Sequence, residues 1–234
     1  MERVNLLKKP FFLVDWEQKY SSLLRKIMYI LIIETSGSDS FVALCKESKI
    51  LTVETLPEKE QSKCLFRGIK KCLGKENLKL KDLDCIHIGN GPGSFTGTRV
   101  GVMAAKALSF ANNTPLIVSC SLERFSVPVS GPFTIALSAK SKGFYTLKGE
   151  KTSSGVQFYG PPSLFSQKEL KILKSTTPPF LSPDTKLLQK LNSNIECFKT
   201  SIDIAFMAEM ASLRLKRGET CTHSEVKTWY LYTP

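Results

Sequence analysis

The chain has 234 residues, 42% of them hydrophobic, and a formal charge of +12. That composition supports a packed core and excludes a disordered chain, and no apolar run reaches the ~18 residues of a membrane span. Seven cysteines, odd in number and without a CxxC pair, read as free thiols of a cytoplasmic protein, not as disulfides or zinc ligands.

Residues 1–27 contain Asp15, Glu17 and Lys19, which break up any signal-peptide core. They read as a start-site artefact, or as a short amphipathic helix over Ser21–Ile27 leading into a domain that opens at Met28. Tyr29–Thr35 (YILIIET) is a short apolar run with β-branched residues and predicts a central strand. Turn chemistry at Ser36–Ser40 leads to strands at Phe41–Cys45 and Ile50–Leu56, an antiparallel meander.

The period then changes. Leu65, Ile69 and Cys72 share one helical stripe, predicting a helix over Glu60–Leu73 with Gly74 as its stop. Leu83–Gly89 alternates as a strand. Within it His87 reads as partly buried, and with His223 the one other histidine, a histidine-based metal site is not expected. After the glycine loop come a helix over Val100–Ala111 and a strand over Pro115–Ser119. The order β-β-β-α-β-α-β is that of an actin-like lobe.

Pro128–Pro132 marks a boundary to a second, smaller unit with strands at Phe133–Leu137 and Phe144–Leu147. Ser153–Pro162 and Ser175–Pro183 are rich in turn formers. Asp203–Lys216 is an amphipathic helix stopped by Gly218, and Trp229–Tyr232 predicts a closing strand.

The stretch Gly89–Gly101 (GNGPGSFTGTRVG) joins a predicted strand to a predicted helix. Gly97 is followed by Thr98-Arg99, so the Walker A loop is absent, and the GxGxxxG spacing of Gly91, Gly93 and Gly97 departs from the dinucleotide fingerprint. Backbone N–H groups near a helix start leave Gly93, Ser94, Thr96 and Gly97 as weak anion candidates. Small residues at Gly97, Gly101 and Ala105 permit close helix packing, on the chain's own sheet or on a partner. Glu34 stands at the end of the first strand, where an actin-like ATPase places a metal-associated acid; the plainer reading is a strand-end carboxylate facing solvent. Ser94 is outside any GxSxG pattern.

Ile32–Ser36 (IIETS), Phe41–Leu44 (FVAL), Gly91–Gly101 (GPGSFTGTRVG) and Val118–Glu123 (VSCSLE) resemble the TsaB family, also called YeaZ. The resemblance implies a two-lobed actin-like (ASKHA) α/β fold with ribonuclease H-like lobes. The first lobe would span 28–125 and the second 126–234, with the helix at 203–217 able to pack back on the first. It further implies a non-catalytic activator of TsaD in synthesis of tRNA N6-threonylcarbamoyladenosine beside the anticodon, joined by the ATPase TsaE. This subunit would hold no cofactor and no metal. The partner surface carried over by position comprises Leu65, Ile69, Gly101, Ala105 and Leu108, rimmed by Lys63 and Arg99. Glu34 replaces the family's usual Asp, and Ser138-Ala139-Lys140 replaces its Asp-Ala-Arg, which weakens nucleotide or metal binding. Direct tRNA contact and homodimerisation stay open. An actin-like ATPase or kinase using Glu34 and Gly93, a peptidase, and an autonomous tRNA-binding protein are the alternatives.

Overall fold

A computed structural model describes residues 27–173 and 177–229. The first sheet has strand order β3-β2-β1-β4-β5. β1 (Tyr29–Glu34), β2 (Ser40–Lys46) and β3 (Lys49–Leu56) form the antiparallel meander, and β4 (Cys85–Gly89) and β5 (Leu116–Ser119) add parallel to β1. β1 reads as an unbroken apolar run because both faces of the sheet are covered. Its side chains alternate: Leu31 and Ile33 join the core beneath α1 (Gln61–Lys75) and α2 (Phe95–Asn112), while Ile30 and Ile32 face Met207, Ala208 and Ala211 of α5 (Ile204–Lys216). All four are fully buried, each contributing roughly 1.5–3 kcal/mol by transfer from water.

The second sheet has order β10-β9-β6-β7-β8, with β6 Gly131–Ser138, β7 Phe144–Thr152, β8 Gly155–Phe165, β9 Phe180–Ser182 and β10 Cys197–Lys199. Short helices α3 (Gln167–Lys171) and α4 (Thr185–Leu191) close one face over Ala136, Phe144 and Phe180. Chain order and spatial division differ at the end: α5 packs on the first sheet, Cys221 bridges Leu116, and Val226 enters the first core. No helix among the described residues is long and apolar enough to cross a membrane.

Several elements depart from the sequence expectations. Gly74 lies inside α1, which runs on to Lys75, because nothing crowds that position and helical packing overrides a single glycine. α2 starts at Phe95, five residues earlier than expected, since the Ser94 hydroxyl caps it by accepting from the Gly97 N–H at 3.2 Å. The turn-rich stretch after Thr152 forms β8; its alternation is limited to Val156 and Phe158, and as an edge strand it tolerates Pro161 and Pro162. Trp229 is outside any strand, and the rest of the closing strand expected at 229–232 lies outside the described residues, as do residues 1–26.

Candidate functional site

The glycine loop meets the carboxyl end of β1. Ser94 donates its N–H to the Ser36 carbonyl at 2.6 Å, and the Thr35 hydroxyl donates to the Gly97 carbonyl at 2.7 Å. A Cβ on Gly93 would collide with the Ser36 carbonyl, one on Gly97 with that of Thr35, and one on Gly101 with the Thr35 hydroxyl. These glycines let two backbones touch. Gly91 also needs its left-handed φ of 104°, and a Cβ there would stand 2.7 Å from the Trp229 carbonyl. The loop is therefore sewn to the turn after β1 and roofed by the C-terminal segment, where Trp229 donates to the Asn90 carbonyl. Of the anion candidates, Ser94 and Gly97 hydrogen-bond within the chain, and Gly93, Ser94 and Thr96 line an open cleft of about 1040 Å³ between the lobes.

Glu34 faces no solvent, which corrects the solvent-facing reading. Its side chain is wholly buried, and Arg124, from the turn after β5, places Nη1 3.0 Å from Oε1. The same guanidinium nitrogen donates to the Ser36 hydroxyl at 2.7 Å, and the Ser36 N–H donates to Oε1 at 2.7 Å. Sequence reasoning missed Arg124, because only folding brings residues 34 and 124 together.

Arg214 of α5 donates to the Ser119 hydroxyl at 2.5 Å and pairs with Glu123 at 2.6 Å. Ser119 in turn lies 2.6 Å from His87 Nε2. Since Arg214 supplies a donor, the Ser119 proton turns to His87, which accepts as the neutral ring. Burial, with Arg214 adding to it, lowers the His87 pKa to about 3. This serine–histidine pair is a second feature the sequence hid. The adjoining chamber holds about 10 Å³, room for roughly one water and not for a substrate.

The residues expected at a partner surface separate into two groups. Leu65, Ile69, Ala105 and Leu108 belong to the first-lobe core, and Gly101 is buried against Thr35 and Ile88. They hold α1 and α2 to their own sheet and face away from any partner, which corrects that expectation: the helical stripe that reads as an interface is the inward one. Lys63 and Arg99 are exposed, and the Arg99 guanidinium lies 3.7 Å from the centroid of the Phe95 ring. The outward faces carry a different apolar set: Phe66 on α1 (53% exposed), and Met103 (64%) and Phe110 (69%) on α2. Ala107 and Ala111 continue the outward stripe between and beside them.

A family model described as TsaD, tRNA N6-adenosine threonylcarbamoyltransferase, matches residues 55–157. A Haemophilus influenzae protein called tRNA threonylcarbamoyladenosine biosynthesis protein TsaB is 33% identical over 88 residues, 38% of this chain and 37% of that one. A Bacillus subtilis tRNA N6-adenosine threonylcarbamoyltransferase is 32% identical over 110 residues, 40% of this chain and 32% of that one. The chain thus spans about a third of the length of these curated relatives. A Pseudomonas aeruginosa structure described as similar to peptidase YEAZ superposes with a TM-score of 0.74 at 17% identity, over 88% of this chain and all of that one. A second, YeaZ from the same organism, gives 0.70. The chain thus shares its two-lobed α/β fold with the YeaZ structures and, over about two fifths of its length, is similar in sequence to TsaB-named proteins.

Proposed function

We propose that the chain acts in tRNA N6-threonylcarbamoyladenosine synthesis as a non-catalytic partner that docks a TsaD-type transferase on the outward face of α1 and α2. The observation that carries this reading is the exposed stripe of Phe66, Met103 and Phe110 beside small alanines. Large exposed apolar side chains on adjoining helices suit a packed protein interface, and an interface of ordinary size would bury roughly 1,600 Å² in total. The relatives' names supply the pathway, and the transferase match over residues 55–157 supports kinship with the partner. TsaE and tRNA enter this reading through the assembled complex.

The non-catalytic part rests on how the groups are engaged. Arg124 ties up the acid an actin-like ATPase would use, and the Ser119–His87 pair is sealed from substrate. Among the described residues no three His, Cys, Asp or Glu side chains gather as metal ligands. Reconstitution tests the reading: a purified TsaD-type enzyme with TsaE, ATP and tRNA should modify adenosine only when this chain is added. Equal modification without the chain overturns it.

A further inference from the structure

The groove between α5 and the β7–β8 hairpin lies apart from the α1–α2 face and encloses about 980 Å³. Its floor is apolar. Phe206, Met210 and Leu213 recur at helical spacing along α5, and Phe158 of β8 meets Phe206 edge-on with ring centroids 6.4 Å apart. Leu213 remains 38% exposed. The far wall is the edge strand β8, which among the described residues pairs with β7 alone. Its outward backbone groups over Gly155–Tyr159 have no strand to bond, the usual template for adding an extended peptide.

The charge of this groove opposes that of the molecule. Glu123, Glu150, Asp203, Glu209 and Glu219 line it, against Lys151, Arg214 and Arg217. The three cations are already engaged: Arg214 by Glu123 at 2.6 Å, Arg217 by Glu219 at 3.8 Å, and Lys151 by the Val127 carbonyl at 2.6 Å. Glu150, which accepts from the Tyr159 hydroxyl at 2.6 Å, Asp203, which caps α5, and Glu209 join no ion pair among the described residues, so their charges stay unneutralised. A net acidic groove over an apolar floor, on a chain of +12, concentrates a negative potential that attracts cations and repels nucleic acid.

We propose that this groove binds an extended segment of a partner protein in which arginine or lysine alternates with apolar residues. Strand alternation sends every second side chain to one face. The backbone then pairs with β8, and apolar side chains settle on Phe158, Phe206 and Met210. The alternate cations turn to the opposite face of the hairpin, where Glu150 stands, while Glu209 on α5 keeps the groove itself negative.

The test uses the full chain in fluorescence polarisation with two labelled nonapeptides, one alternating leucine with arginine and one alternating leucine with glutamate. On a chain this basic, indiscriminate attraction favours the glutamate peptide, so the sign of the preference is diagnostic. The arginine peptide should bind at least tenfold more tightly. The double variant Glu150→Lys/Glu209→Lys, with unchanged circular dichroism, should lose at least tenfold of that affinity. An equal or reversed preference overturns the proposal, and so does a double variant that binds the arginine peptide as tightly as the parent. Because the variant leaves α1 and α2 untouched, its copurification with a TsaD-type partner reads the preceding proposal separately.

Discussion

Arg124 and Glu34 meet at 3.0 Å with their side chains 4% and 0% exposed, across ninety residues of chain. A buried ion pair of this kind is costly to break from one side, because the remaining charge has no water to return to. Arg124→Ala should lower unfolding stability by about 3–5 kcal/mol in urea titration. Replacing both partners by apolar residues, as in Glu34→Leu/Arg124→Met, should recover much of that loss. A double variant as unstable as the single one would show that the pair does more than neutralise itself.

Gly97 and Gly74 form a matched pair of tests. Ala at 97 drives a Cβ into the Thr35 carbonyl, a backbone atom with no side-chain freedom to yield. Gly97→Ala should cost about 1–3 kcal/mol or more through overpacking. Ala at 74 meets nothing within 4 Å in the last turn of α1 and should raise stability by up to about 0.5–1 kcal/mol, the helix-interior value. Thermal unfolding of the two variants should move the midpoint in opposite directions.

Ala105 and Met103 separate folding from docking. Ala105→Glu puts a carboxylate into the first-lobe core and should abolish folded protein. Met103→Glu alters an outward side chain, 64% exposed, and should change stability by less than about 0.5 kcal/mol. If α1 and α2 form the docking face, Met103→Glu should nonetheless lose at least about tenfold affinity for a TsaD-type partner, the loss expected when a buried anchor is removed. Pull-down or calorimetry measures it, and undiminished binding removes this face from the interface.

His87 predicts acid sensitivity. Burial first, and Arg214 second, hold its pKa at about 3 against an ordinary 6.5. Between those values the unfolded chain takes up a proton that the folded chain refuses, so stability falls as pH drops below about 6.5, by at most about 1.4 kcal/mol per pH unit. Above that range His87 contributes no pH dependence. His87→Gln keeps a hydrogen-bonding partner for Ser119 and should flatten the decline between pH 6 and 4, measured as unfolding free energy against pH.

The strands of the first sheet were legible because their patterns have a local cause. β1 is apolar at consecutive positions since both of its faces are covered, and α1 shows its core stripe at helical spacing. The direction of that stripe was not legible. Leu65, Ile69, Ala105 and Leu108 mark a helix face that needs covering, but periodicity alone does not say whether a sheet or a partner covers it. β8 escaped notice for a different reason: its alternation is confined to Val156 and Phe158, and the glycine and proline residues that follow read as turn formers.

The glycine loop shows where local information stops. The sequence by itself excluded the two common nucleotide loops, because those require residues at set spacings that are absent here. It also supplied the family resemblance, carried by an unusual run of glycines. Only the tertiary structure decided why the glycines are there: Gly93, Gly97 and Gly101 meet Thr35 and Ser36, about sixty residues earlier in the chain, at distances a Cβ would forbid. The same holds for Glu34, whose role depends on Arg124, and for the acidic groove between α5 and β8. Contacts between distant segments arise from how layers pack, and no local pattern encodes which partner a residue will meet.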